Sequence, residues 1–223
     1  MAITSRATIT DIREINSELR EFWLVPEKKS RYEAGQFLQF CIEEVEVSDY
    51  WPESRTFSIA SYQKGKIRLI IKKVGKYTTR IFEELNINSV VTIKYAYGDF
   101  LLPFDSSSQI VCIAGGTGIT PFLAFIDYLE NVGGLDRMFL YYSAQTKQSM
   151  IDYEEIKEKF GDKVKFFTTR EENENTINHR ISKEDILIGV NTTYYVCGSE
   201  AFNDYYKRLL FDLGCINVKV DEW

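Results

Sequence analysis

Ala114-Gly115-Gly116-Thr117-Gly118-Ile119-Thr120-Pro121 stands between two apolar runs, Ile110-Val111-Cys112-Ile113 before it and Phe122-Leu123-Ala124-Phe125-Ile126 after it. A buried strand, a tight glycine turn and a helix start therefore follow one another directly. Glycines let the backbone take dihedrals closed to other residues and let a ligand come close. Pro121 suits the first helical turn, where a missing N–H costs nothing. The free amides of such a turn, aided by the helix dipole, favour an anion such as a pyrophosphate. Gly116-x-Gly118 supplies two-thirds of a dinucleotide fingerprint, with Pro121 where the third glycine belongs, and no Gly-Lys-Ser/Thr ending is present, which excludes a P-loop. A glycine turn alone also fits any tight strand-to-helix connection, so the rest of the chain has to decide.

Outward from this turn the chain changes character. On its N-terminal side, Ala7–Ile12, Leu19–Val25, Gln36–Phe40, Arg55–Ile59, Lys66–Lys73 and Val90–Tyr97 are short, β-branched or aromatic segments separated by turn residues. One helix is expected among them, Thr79–Leu85. Six strands at near-regular spacing predict a small antiparallel barrel. Asp105-Ser106-Ser107-Ser108 is the most linker-like stretch. Beyond it strands and helices alternate: strand 110–113, helix 121–132, strand 137–142, helix 153–160, strand 164–168, helix Ser182–Ile188, strand 194–197, helix 201–213 and strand 218–221. That alternation predicts βαβ units on a parallel sheet. The expected organisation is a β-barrel domain at residues 1–104 and a doubly wound α/β domain at residues 105–223.

Composition narrows the function classes. Hydrophobic residues at 44% and charged ones at 27% describe a globular protein, and a net charge of −6 argues against nucleic acid as the main partner. Fifteen Phe, fourteen Tyr and three Trp are a generous aromatic supply for ring binding or a β-rich core. The N-terminus Met-Ala-Ile-Thr-Ser-Arg has no apolar signal core, and the most apolar window, Ile110–Ile126, is broken by three glycines. Cys41, Cys112, Cys197 and Cys215 show no metal or disulfide spacing. The expectation is a cytoplasmic protein with no metal centre. The single histidine, His179, and the scattered carboxylates form no triad, and His179 is expected at the surface.

Four ordered motifs carry the chemistry. Gly115-Gly116-Thr117-Gly118-Ile119-Thr120-Pro121, Arg55-Thr56-Phe57-Ser58, Gly75-Lys76-Tyr77-Thr78 and Cys197-Gly198-Ser199 together resemble the signatures of the ferredoxin–NADP⁺ reductase family of flavoenzymes. Tyr95-Ala96-Tyr97-Gly98-Asp99-Phe100 resembles the segment that ends that family's barrel, with Ala96 in place of a proline. The resemblance covers essentially the whole chain. It departs at Phe57, which stands for a tyrosine and loses its phenolic hydrogen bond, and at Ser199, which stands for a proline.

The resemblance implies these roles. Arg55 would meet a flavin phosphate, for which its planar fork is suited. Phe57 would pack on the isoalloxazine or its ribityl chain, and Ser58 would lie near flavin N5. Gly75, Lys76, Tyr77 and Thr78 would hold the phosphate at a helix start, Thr78 being equally a good N-cap. Gly116, Thr117, Gly118, Thr120 and Pro121 would bind the nicotinamide nucleotide, and Cys197 with Gly198 would face its ring. Relatives often end on an aromatic residue two positions after an acidic one, which implies Trp223 stacked on the flavin and Asp221 beside Ser58 and Cys197. Arg170 in Thr169-Arg170-Glu171 and Arg180 in Asn178-His179-Arg180-Ile181 resemble segments of NADP-specific relatives, whereas Gln145 stands where those often carry a further arginine. The balance favours NADPH over NADH, and the phosphate turn favours FAD over FMN.

The implied function is hydride transfer from NAD(P)H to flavin N5, with electrons passed to a separate acceptor such as ferredoxin or flavodoxin. Lys64, Lys66, Lys72, Lys73 and Lys76, close in sequence to the flavin turn, could form a basic patch for an acidic partner. Two alternatives stay open. One is an electron-transfer flavoprotein subunit of a larger redox complex, some of which carry a cysteine cluster that is absent here. The other is a nucleotide-binding domain without flavin.

Overall fold

The computed structural model describes residues 2–45, 50–63 and 65–221. The chain divides into two compact units, Met1–Leu101 with Leu123–Tyr128, and Leu102–Phe122 with Leu129–Trp223. In the first unit, β1 (Ile3–Asn16), β2 (Leu19–Pro26), β3 (Phe37–Cys41), β4 (Arg55–Ser58), β5 (Ile67–Lys72) and β6 (Val90–Tyr97) form an antiparallel sheet in the order β4-β3-β6-β1-β2-β5. The Ala60 N–H donates to the Arg68 carbonyl at 2.8 Å, so the chain just past β4 reaches β5 and nearly closes the barrel. Alternation does the rest. Phe22, Leu24, Leu38, Phe40, Leu69, Ile71, Val91 and Ile93 point inward and are buried.

α1 (Lys76–Glu84) caps this core with Tyr77, Ile81 and Phe82. It begins three residues earlier than the sequence suggests. Gly75 is the N-cap and Thr78 the third helical residue, so Thr78 is not the N-cap. Its hydroxyl instead reaches back, accepting from the N–H groups of Val74 (2.9 Å) and Gly75 (3.1 Å).

The outer face of the barrel carries a buried carboxylate. Glu21 on β2 lies directly across from Arg13 of β1, whose Nη2 donates to it at 2.6 Å. The Trp23 indole N–H donates to the other oxygen at 2.7 Å, and the Arg68 guanidinium on β5 completes the group.

In the second unit, β7 (Gln109–Gly115), β8 (Met138–Ala144), β9 (Val164–Thr168), β10 (Thr192–Cys197) and β11 (Val218–Val220) form a parallel sheet in the order β11-β10-β7-β8-β9. α2 (Thr120–Val132) follows β7, α3 (Tyr153–Phe160) follows β8 and α4 (Glu200–Asp212) follows β10. The chain runs outward from β7 to β9, then returns to the other side of β7. The switch point lies between β7 and β10, which in open α/β sheets is where ligands bind. The Gly115–Gly118 turn and the Cys197-Gly198 turn sit at the carboxyl ends of these two strands.

The helix expected at Ser182–Ile188 does not form. The Asp185 carboxylate accepts from the Ser182 N–H (2.9 Å) and hydroxyl (2.8 Å), closing a single turn. The next donors go to the sheet: the Leu187 N–H to the Tyr141 hydroxyl at 2.9 Å and the Gly189 N–H to the Tyr194 hydroxyl at 3.0 Å. Side chains thus take the donors a helix would use.

Candidate functional site

Arg55 opens β4 beside the first turn of α1. Its guanidinium carbon lies 4.7 Å from the centroid of the Tyr77 ring. Nη1 donates to the Ser54 carbonyl at 2.8 Å and Nη2 to the Glu53 carboxylate at 2.8 Å. An anion of this chain already occupies the fork, which shows what chemistry the fork accepts. Phe57, two residues on, sits edge-on to Phe40 at 5.9 Å between centroids, with part of its ring outside the barrel core. Thr56 and Ser58 point to the opposite face, and Ser58 pairs with Phe37 of β3.

Lys76, Tyr77 and Thr78 are the first three residues of α1, whose N–H groups have no intrahelical acceptor. Gly75 has an ordinary extended backbone (φ −167°), and a β-carbon there would meet no atom of the described chain within 4 Å. Backbone strain therefore does not demand a glycine, and open space lies over the helix start. A guanidinium fork, three free amides and this opening suit a phosphate group.

The expected lysine cluster is not gathered in space. Lys66 precedes β5 and Lys72 ends it, so about 20 Å of extended chain separates them. Lys72 pairs with Glu18 at 3.8 Å, and Lys73 lies 5.7 Å from the Phe82 ring centroid. Lys64 is outside the described residues.

In the second unit the glycine turn is a short 3₁₀ segment, Gly116–Ile119, leading into α2 with Pro121 in its first turn. Gly116 is left-handed (φ +58°), and a β-carbon on it would touch no atom of the described chain within 4 Å. Gly118 is the reverse: a β-carbon there would lie 2.1 Å from the Cys197 carbonyl oxygen. Gly115 and Gly198 both lie against the Phe202 ring, at 2.8 and 2.5 Å from where their β-carbons would be. The turn after β7 and the turn after β10 are thus pressed together over Phe202. Sequence reading missed this residue, although it stands four after Gly198 on the new helix. Thr120 braces the turn by donating to the Thr117 carbonyl at 2.6 Å, and Ser199 caps α4 by accepting from the Phe202 N–H.

Cys197 is buried, and its thiol donates to the Asp221 carboxylate at 3.3 Å. Asn203 holds the Asp221 carbonyl at 2.8 Å. Burial first, and the Asp221 charge next, push the Cys197 thiol well above the ordinary range. Burial does the same to Cys112 and takes Cys41 to about 12. These thiols stay protonated, so none is a nucleophile. Cys215 alone is half-exposed. A thiol-reactive chromophore at pH 8 should therefore label about one cysteine per folded chain and all four after unfolding. Fast labelling of two or more in the folded protein would contradict this picture.

Arg170 and Arg180 are both exposed. The Arg170 N–H donates to the Gln145 carbonyl at 3.0 Å. Glu171 turns inward to accept from the Lys147 N–H at 2.7 Å, which with the Asn173 amide lowers its pKa and ties together the loops after β8 and β9. His179 is exposed, with Nδ1 2.8 Å from the Arg180 carbonyl. Trp223 lies outside the described residues. Among the described residues no group of His, Cys, Asp or Glu could hold a metal ion, and no helix is long and apolar enough to cross a membrane.

Residues 6–101 match the oxidoreductase FAD-binding domain, and residues 112–208 the oxidoreductase NAD-binding domain. The chain is 26% identical over 159 residues to the reductase component of propane 2-monooxygenase from Rhodococcus jostii, covering 69% of this chain and 41% of that protein. It is 29% identical over 159 residues to NADH-cytochrome b5 reductase 2-A from Vanderwaltozyma polyspora, covering 65% of this chain and 53% of that protein. The chain spans about half the length of the curated relatives it matches. Its fold matches the FAD/NAD-binding domain of nitric oxide dioxygenase from Vibrio cholerae with a TM-score of 0.87 at 15% identity, covering 98% of each chain.

Proposed function

The chain belongs to the ferredoxin–NADP⁺ reductase family, and from that premise we propose that it is a flavin-dependent NAD(P)H reductase serving a separate electron acceptor. One observation carries the reading: the Arg55 fork, seated on Tyr77, lies beside the three free amides of the α1 start under an open space. Bound FAD would supply the chemistry, accepting hydride from NAD(P)H and giving up electrons to the acceptor.

The chain's own residues bind and orient. Arg55 and the N–H groups of Lys76, Tyr77 and Thr78 hold flavin phosphate, with Gly75 leaving room for it. Phe57 offers an aromatic surface and Ser58 a hydroxyl for the ring system. In the second unit Gly116, Thr117, Gly118, Thr120 and Pro121 shape the turn that receives the nicotinamide nucleotide. Cys197 and Asp221, buried and bonded to each other, fix the end of β10 for its ring, and Gly198 keeps the backbone close. Arg170 and Arg180, both free to reach solvent, hold a 2′-phosphate, which makes NADPH the better donor. Two relatives named above are a monooxygenase reductase component and a cytochrome b5 reductase, which supports a protein acceptor outside this chain. Ferredoxin and flavodoxin are the candidates. Lys66 and Lys72 lie at opposite ends of β5, so the described lysines near it form no single basic patch for either.

Steady-state reduction of ferricyanide tests the reading. We expect turnover with nicotinamide nucleotide and a higher kcat/KM for NADPH than for NADH. A preference for NADH would refute the assignment of Arg170 and Arg180, and no turnover with either would refute the reductase. Gly75→Val gives a sharper structural check. It should lower the melting temperature by no more than a few degrees, since a β-carbon there meets no described atom within 4 Å and only the glycine N-cap preference is lost, yet weaken FAD binding at least tenfold. Equal FAD affinity in this variant would remove the α1 start from the flavin site.

A further inference from the structure

Tyr77 enters the sequence motif only through its backbone N–H, yet its side chain is the most elaborately held group near Arg55. It is buried. Its hydroxyl donates to the Phe40 carbonyl at 2.9 Å and accepts from the Ile42 N–H at 3.2 Å. The Glu53 carbonyl lies within its reach at 3.2 Å. One phenol thus ties the end of β3 to the approach of β4, on either side of the long connection that delivers Arg55. The face of the same ring carries the Arg55 guanidinium.

The arginine needs such support. Its side chain is 48% exposed, and the Glu53 carboxylate that holds its outer edge is 59% exposed. An ion pair that open to water fixes geometry weakly. The Tyr77 ring, by contrast, cannot move without breaking buried hydrogen bonds. A guanidinium stacked on it keeps its plane and leaves its outer edge for an anion. Preorganising a long, flexible cation in this way raises affinity by removing the cost of ordering it on binding.

Resting on the flavin reading above, we propose that Tyr77 is a positioning residue that presents Arg55 to the flavin phosphate, with Glu53 keeping the fork until the phosphate replaces it. The effect must be specific to phosphate, since the ring acts only through the arginine.

FMN and riboflavin differ only in that phosphate, so the ratio of their affinities for the flavin-stripped full chain, read by quenching of flavin fluorescence, isolates it. Wild type should favour FMN at least tenfold. Tyr77→Leu should cut that preference to about twofold or less while changing riboflavin affinity little. Tyr77→Phe, which keeps the ring, should retain the wild-type preference even where loss of the hydroxyl lowers thermal stability. In an Arg55→Ala background, Tyr77→Leu should change the ratio no further. If Tyr77→Leu keeps the preference, or weakens FMN and riboflavin equally, the positioning role is wrong. If Tyr77→Leu does not fold, a lost preference in Tyr77→Phe still overturns the proposal, because the ring would then not be the operative part. A wild type that binds both flavins equally would instead sink the phosphate reading of Arg55.

Discussion

Replacing Gly118 by alanine is expected to destabilise the second unit by about 3 kcal/mol, more than most surface or loop changes in a protein of this size. The built β-carbon lies 2.1 Å from the Cys197 carbonyl oxygen, 2.4 Å from its carbonyl carbon and 2.7 Å from the Gly198 nitrogen. All three are backbone atoms, so no side-chain rotation relieves the overlap. The turn after β7 and the end of β10 must move apart, which also displaces the Cys197 thiol from Asp221. Gly116→Ala is the contrasting change: its β-carbon meets no atom of the described residues within 4 Å, and its left-handed backbone costs about 1–2 kcal/mol. Calorimetric or denaturant unfolding of the two variants should therefore separate them, Gly118→Ala being the less stable. KM for the nicotinamide nucleotide should rise at least tenfold in Gly118→Ala. A Gly118→Ala protein as stable as Gly116→Ala would mean that the two turns are not packed as described.

Glu21→Ala is the other large effect, and it acts on the outer face of the barrel through Arg13, Trp23 and Arg68. The side chains of Glu21 and Arg68 are only 6% and 12% exposed. Removing the carboxylate strips the Arg68 guanidinium of a buried counter-charge and leaves the Trp23 indole N–H without its acceptor. Breaking a buried pair from one side costs about 3–5 kcal/mol, because a charge is left in a poor solvent. Arg13, 54% exposed, can turn to water and softens the loss, so the lower end is expected. For a chain of this length that is a fall of about 6–12 °C in melting temperature. Glu21→Gln should fall less, since an amide oxygen still accepts from Trp23. A shift under 2 °C for the alanine variant would show that the cluster is solvated.

Much of this was legible from residues alone, and the exceptions have physical causes. Five of the six barrel strands announce themselves as short β-branched or aromatic runs bounded by turn residues, whereas β1 (Ile3–Asn16) extends well beyond the expected Ala7–Ile12 at both ends. The order glycine turn, Pro121, apolar helix needs only local rules. The start of α1 was hidden because Gly75 caps it without a side chain, while Thr78, which looks like a cap, serves from inside the first turn. The segment 182–188 has helical composition, but its Ser182 donors are claimed by the Asp185 carboxylate and its Leu187 N–H by the hydroxyl of Tyr141, a residue distant in sequence. Lys66 and Lys72 are close in sequence and not in space, because a strand stretches what a helix would gather. Tyr77 and Phe202 were missed as side chains for a related reason. Their importance lies in which backbone groups and glycines surround them, and only the folded chain brings those together.

In the proposed function Arg55 and the start of α1 hold a flavin by its phosphate. Titrating the flavin-stripped chain with FAD tests it most directly, with Arg55→Ala run beside the wild type. Wild type should bind one FAD per chain with a yellow absorbance spectrum. Affinity should be roughly ten- to hundredfold weaker in Arg55→Ala, the worth of one charge-assisted contact of about 1.5–3 kcal/mol. A wild-type protein that binds no FAD, or an Arg55→Ala variant that binds it as tightly as wild type, would contradict it.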